Sequence, residues 1–245
     1  MNIEFIKPLW PLANIINVVT TTRHGGVSLP PFDQLNLATH VGDDFEHVKR
    51  NRGLLASALN LPAEPKWLQQ VHGHHVINAG SIKKDVREAD GSYTVDRDVV
   101  CAVMTADCLP VVISDSRGHC IGVAHAGWKG LLDRVLQNTI EQMSVLAKPD
   151  YAWLGPAIGS AAFEVGADVY QAFLKQNKQF QLAFEIKNYS KWNFDIYQAA
   201  SIILKSAGIT HIYGGQYCTY SDKDRFYSYR REGVTGRMAT LAWKS

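Results

Sequence analysis

Three residues of this chain carry side chains that can bind a cation or activate a nucleophile, and all three stand where an apolar run gives way to a turn. They are His72 in "QQVHG", Cys108 in "TADCLP" and His125 in "GVAHAGWKG". Cys108 has four candidate roles: a buried structural thiol, one half of a disulfide, a nucleophile or a metal ligand. The other cysteines, Cys101, Cys120 and Cys218, make no CxxC pair with it, which argues against a disulfide framework. His72 lies 36 residues before Cys108, and His125 lies 17 after it. That spacing does not suit a sequence-local structural zinc site. Three ligands drawn from separate strand ends match instead a catalytic metal, which keeps its fourth position open for water or substrate. Taken singly, each residue is equally well explained as a satisfied buried group, and spacing alone does not decide. Asp107, next to the cysteine, is a candidate base or ligand orienter, and equally a strand-end turn residue.

These side chains need elements to hold them. "DVVCAVMTADCLPVVISDSRGHCIGVAHAG" predicts three strands, broken at Ala106-Asp107 and at the turn "DSRG". "NIINVVTTTR" (14–23) predicts a strand, and "KWLQQVHGHHVINAG" reads as strand material interrupted by polar residues. Between them "RHGGVSLPPFDQLNLATHVGDD" is a long loop of the functional kind, and "DFEHVKRNRGLLASALN" predicts a helix. "WKGLLDRVLQNTIEQMSVLA" has apolar residues at helical spacing over its whole length. "YAWLG" predicts a strand. Helices are expected from "FEVGADVYQAFLKQ" and from "FDIYQAASIILKSAG", the latter ending at Gly208. The tail segments "HIYGGQYCTY", "FYSYRR" and "MATLAWK" read as strands. Strand–strand neighbours mixed with helices favour a mixed-sheet α/β or α+β fold over a doubly wound parallel one.

The composition narrows the function classes. A chain of 245 residues with 46% hydrophobic content can bury a real core, and no linker or repeat divides it, so one domain spanning 1–245 is expected. A formal net charge of +2 and a single basic cluster, "YRREGVTGR", do not describe a nucleic-acid binder. No apolar stretch has the length of a membrane span. The start "MNIEFIKPLW" does not read as a signal peptide. The expectation is a cytoplasmic protein, monomeric for want of any interface helix.

The motifs "TTRHGGVS", "NLATHVGDD", "QQVHG", "EADG", "TADCLPV", "AHAGWKG", "GPAIG…FEVG" and "YSYRREGVTGR", in this order from about Thr20 to Leu241, resemble the YfiH family. Its members have been called laccase-domain proteins or polyphenol oxidases, purine nucleoside phosphorylases and peptidoglycan editing factors. The resemblance implies a single α/β domain of layered α/β/β/α type with a mixed sheet, related in site geometry to cytotoxic necrotizing factor. It implies zinc on His72, Cys108 and His125. It also implies phosphorolysis of adenosine, inosine and S-methyl-5′-thioadenosine, with adenosine deamination as a side activity. Lys129 and Tyr227 depart from the family's usual Arg and Phe.

Four chemistries compete on these residues. Phosphorolysis needs cations for phosphate. Arg23, before two glycines, is the first candidate, and Arg230, Arg231 and Arg237 supply more, with one or two expected in the site and the rest in structural pairs. Gln70 is a candidate hydrogen bonder to substrate, and His40 in "ATHVGDD" a further substrate-binding residue. Deamination would use an activated water, but the HxE…PCxxC signature is absent, so it would be convergent. Copper suits a His2Cys set, yet the chain offers one HxH pair, His72-Gly-His74, among nine histidines, too few for a multicopper oxidase. Copper binding in vitro is expected regardless. A hydrolase with Cys108 as nucleophile and His125 as base would suit cleavage of an amino acid from a muramyl precursor. A non-enzymatic binding module has no supporting feature in the chain.

Overall fold

Side-chain alternation along the apolar runs decides which layer each residue joins. The structure, a computed structural model, describes residues 3–81 and 88–244. One sheet has four antiparallel strands in the order β1 (Phe5–Ile6), β2 (Asn17–Thr21), β13 (Met238–Trp243) and β5 (Cys101–Thr105). A second has six, in the order β12 (His211–Gly214), β8 (Tyr151–Leu154), β6 (Leu109–Ser114), β7 (Ile121–Ala126), β4 (Gly91–Thr94) and β3 (Val76–Asn78). Its outer pairs, β12–β8 and β3–β4, are parallel and the inner pairs antiparallel. A small antiparallel sheet joins β10 (Phe184–Asn188), β11 (Lys191–Phe194) and β9 (Glu164–Gly166).

The two large sheets share a core. Cys101 and Val103 of β5 and Met238 of β13 pack with Val112 of β6 and Ile121 and Val123 of β7. The alternate residues of β5, Ala102 and Met104, turn the other way and pack with Leu55 of helix α1 (Phe45–Leu59). The alternate residues of β6, Val111 and Ile113, join the core of α3 (Val135–Ser144), α4 (Ala167–Gln176) and α5 (Ile196–Ser206). The order of layers is therefore α/β/β/α, the mixed-sheet class expected from the sequence.

Several elements differ from their sequence reading. The helix expected over 128–147 is two, α2 (Trp128–Leu132) and α3, because Arg134 takes a left-handed conformation with φ 73°. The segment "FEVG" is strand β9 paired to β11, and the helix begins only at Ala167. The hairpin of β10 and β11 has no counterpart in the sequence reading. "FYSYRR" is not a strand: Ser228 accepts a bond from Arg231 N and caps a one-turn helix, α6 (Tyr229–Glu232). Of "KWLQQVHGHHVINAG", only Val76–Asn78 is regular strand. The long loop 22–44 is packed rather than loose. Asn51 of α1, fully buried, donates to Ser28 Oγ and to the carbonyls of Gln34 and Asn36, and accepts from Val27 N. Leu35, Leu37 and Ala38 are fully buried under it.

One connection positions the site. β5 belongs to the four-stranded sheet and β6 to the six-stranded one, so residues 106–108 carry the chain from one sheet to the other. Asp107 makes that crossing with φ 92°, a conformation few non-glycine residues adopt.

Candidate metal centre

Cys108 follows the crossing, at the head of β6. His125 lies on the adjacent strand, where it pairs with Pro110. His72 comes from the loop before β3. Its φ of 61° is unfavourable for a residue with a Cβ, and a buried carboxylate accounts for it. Asp90 accepts from Val71 N (3.2 Å), His72 N (2.9 Å) and Gly73 N (2.8 Å). The same carboxylate meets His125 Nδ1 at 2.7 Å, and the Asp90 carbonyl accepts from His125 N at 2.7 Å. Asp90 is wholly buried, and burial alone would raise its pKa. The His125 ring and the backbone N–H groups of Gly73 and Val71 outweigh that and hold it below the usual carboxylate range.

One side chain thus fixes both histidines. With Nδ1 turned to Asp90, His125 keeps Nε2 for Cys108. The ligand atoms of His72, Cys108 and His125 all lie within 4.8 Å of one another, and the two imidazoles stand edge to face at 4.8 Å. Burial would push the Cys108 thiol up. The charge of His125 and hydrogen bonds from both histidines more than offset this and favour the thiolate. His125 is raised in turn, against burial, by Cys108 and Asp90. Gly127 explains part of "HAGWKG": a Cβ there would stand 2.9 Å from Cys108 Sγ and 3.3 Å from the His72 ring. Only glycine lets the chain pass so close behind the ligands.

The donor set fits a cation such as zinc: one thiolate and two imidazoles, one of them oriented by a carboxylate, the usual outer partner of a metal-binding histidine. Among the described residues this is the one convergent cluster of its kind. It opens into a cavity of about 510 Å³ walled by Met104, Trp128, Ile158, Phe163, Ile196 and Tyr229. His125 is buried, Cys108 half-buried and His72 exposed, so access is from the His72 side.

The other candidates are distributed unevenly. His40, Gln70, Asp107 and Arg230 all line the cavity. Gln70, however, pairs reciprocally with Met104, its Nε2 donating to the carbonyl at 2.8 Å and its Oε1 accepting from the amide at 2.7 Å. The first bonds of its amide hold the loop to β5. The Asp107 carboxylate accepts from Thr219 Oγ1 (2.6 Å) and Arg230 N (2.7 Å), so it ties the crossing to α6. Arg23 corrects the sequence reading: it does not line the cavity. Its guanidinium bonds Glu232 (3.1 Å) and Asp33 (3.4 Å) and lies over the Tyr227 ring, and the Gly25 amide after it donates to Gln34. Arg231 is likewise structural, bonded to the carbonyls of Thr219, Tyr220 and Phe226 and to Glu232. Arg237 does reach the cavity. Lys129 is exposed, with its ammonium near the Trp128 ring. Tyr227 donates to the Phe32 carbonyl at 2.7 Å and is a packing residue. Asp90 is the functional residue that sequence reasoning missed. Its signal was the acid in "EADG", directly before β4, although nothing in the sequence says that it faces His125.

Layered mixed sheets and a His2Cys donor set at the seam between them define the class: an α/β protein with a metal-type centre in a walled cavity. Residues 17–245 match the family described as multi-copper polyphenol oxidoreductase laccase, and the chain belongs to it. YfiH proteins are among its relatives. "Purine nucleoside phosphorylase YfiH" of Escherichia coli (strain K12) is 45% identical over 240 residues, 98% of each chain. "Purine nucleoside phosphorylase MT2208" of Mycobacterium tuberculosis (strain CDC 1551 / Oshkosh) is 36% identical over 236 residues, 93% of this chain and 92% of that one. The crystal structure of Neisseria meningitidis protein NMB0706 superposes with a TM-score of 0.94 at 45% identity, covering 98% of this chain and 99% of that one. YlmD from Geobacillus stearothermophilus gives 0.90 at 30% identity, over 98% and 96%. No helix among the described residues is long and apolar enough to cross a membrane.

Proposed function

We propose that this protein is a zinc-dependent purine nucleoside phosphorylase acting on adenosine, inosine and S-methyl-5′-thioadenosine, with adenosine deamination as a side activity, in the cytoplasm. The observation that carries the reading is the convergence of His72, Cys108 and His125 at the base of an aromatic-walled cavity. The names of relatives 36–45% identical over nearly the whole chain support the same activity. When bound by these three residues, the cation supplies Lewis-acid polarisation at its open position. The side chains do the rest. Trp128, Phe163 and Tyr229 offer aromatic faces to a purine, while Met104, Ile158 and Ile196 suit an apolar 5′ group and keep water from the reacting centre. Asp90 holds His125 in one tautomer throughout. In the reaction the C1′–N9 bond breaks and a phosphate oxygen bonds C1′. The proton of hydrogen phosphate ends on the purine, giving free base and ribose 1-phosphate. Deamination in the same cavity would consume water and release ammonia.

A second reading has its own observation. Asp90, His125 and Cys108 line up as a Cys–His–acid relay. Such a relay would make Cys108 the nucleophile of a hydrolase acting on a muramyl-linked amino acid. The presence of His72 beside the same thiol, as the third member of the donor set, favours the metal reading, because a nucleophile has no use for it. A single donor cluster among the described residues favours neither multicopper chemistry nor a laccase. The test is to incubate metal-analysed protein with adenosine, with and without phosphate. Phosphate-dependent adenine and ribose 1-phosphate are expected. Inosine alone would move deamination into first place. Neither product, with amino-acid release from a muramyl precursor, would establish the hydrolase.

A further inference from the structure

Several arginines in this protein meet a carboxylate. Arg23, Arg134, Arg225 and Arg231 each have one within 3.4 Å. The two that line the cavity do not: among the described residues neither Arg230 nor Arg237 has an acidic partner within ion-pair distance. Arg237 is half-buried. Its Nη1 donates to the carbonyls of Thr235 (2.8 Å) and Gly236 (3.0 Å), and the Tyr229 ring lies 5.8 Å from its guanidinium carbon. These contacts fix the planar group and leave donors on Nε and Nη2 for a ligand. Arg230 is held in the same way, through Nη1 to the Glu164 carbonyl at 3.1 Å and against the Phe163 ring. Burial, with the fields of Arg237 and Arg52, lowers the pKa of His40, which lines the same cavity. The nearby acid, Asp107, has both carboxylate oxygens engaged by Thr219 and by the Arg230 amide. Burial of the Arg237 guanidinium is countered only in part by the charges of Cys108 and Asp107, and an anionic ligand relieves the rest of that cost.

We propose that Arg237, with His40 and Arg230, forms the subsite for a tetrahedral oxyanion, inorganic phosphate, in the cavity that the candidate metal donors share. As the phosphate of the reaction, this assignment rests on the phosphorylase reading; as an anion site it stands on the arginines alone. The guanidinium fork suits such an anion better than an ammonium would. The test titrates inorganic phosphate calorimetrically onto metal-loaded wild type, Arg237→Met and Arg237→Lys, and measures the phosphate KM of each. Arg237→Met is expected to weaken phosphate roughly 10- to 100-fold, with metal content and nucleoside affinity kept, and Arg237→Lys to recover part of the loss. Retention of wild-type phosphate affinity by both variants would overturn the subsite, as would absence of phosphate binding by wild type. Wild type that splits nucleosides with phosphate while Arg237→Met keeps the same phosphate KM overturns the subsite and leaves the phosphorylase reading intact. Wild type that binds phosphate through Arg237 yet splits no nucleoside overturns that reading and leaves the subsite standing.

Discussion

Cys108 and Cys101 lie seven residues apart, at opposite ends of one apolar run, and the protein treats them in opposite ways. Cys101 sits wholly buried in the core between the sheets, with Cys120 equally buried nearby, and burial pushes both thiols up to about 12. Cys108 is at the seam, where His125 and His72 reverse the effect of burial. The lesson is that a thiol's chemistry here is set by its second neighbours. Cys101 and Cys120 are inert fillers, and the same side chain becomes a candidate ligand where the chain leaves one sheet for the other.

The sharpest way to break this contrast is Cys108→Ala. Metal content measured by elemental analysis should fall to background, and turnover should drop by about 10³-fold or more, on the scale of losing a preorganised electrostatic group. Cys101→Val should change neither. Retained metal in the Cys108 variant would refute the ligand assignment. Asp90→Asn comes next. It replaces one acceptor oxygen with an amide donor, against the backbone N–H groups of 71–73 or the His125 ring. Metal affinity by competition with a chelator should weaken by about 10- to 100-fold. Gly127→Ala probes the same corner from behind. The new Cβ must displace Cys108 Sγ, so a smaller loss of metal affinity, about tenfold, is expected with the fold retained. The smallest effect separates the silent thiols. A native pKa raised above the unfolded value of about 8.5 adds stability that is complete below that pH and is lost as pH rises toward about 12. The urea midpoint of wild type should therefore fall between pH 9 and about 11, and should fall less in a Cys101→Val, Cys120→Val double variant.

Much of the strand pattern around the site was legible because β5, β6 and β7 are short apolar runs with strong punctuation, and two of the three candidate ligands, Cys108 and His125, sit at those stops, whereas His72 comes from the loop before β3. The fold class followed from the same mix of strands and helices. What stayed hidden was everything decided across the chain. Arg23 and Arg237 are the same residue type in similar loops. Only the positions of Asp33 and Glu232 make the first an ion-pair member and leave the second facing the cavity. The break at Arg134 interrupts perfect helical spacing, and the Ser228 cap overrides the strand-like alternation of "FYSYRR". Asp90 was visible as a letter, but its four partners come from segments 17–19 and 35 residues away.

The crossing at 106–108 has a mechanical consequence. The candidate metal donors Cys108 and His125 stand at the ends of β6 and β7, the central strands of the six-stranded sheet, whereas Arg237 directly precedes β13 of the four-stranded sheet and His40 comes from the loop packed against it. The gap between the two halves of the cavity is therefore set by how the sheets sit on each other. Val112, Ile121 and Met238 act as a ruler, since close-packed interiors transmit small displacements. A residue with no view of the substrate can then detune the reaction by sliding one sheet a fraction of an ångström. Such a change would leave each half able to hold its own ligand and deny the two ligands their meeting.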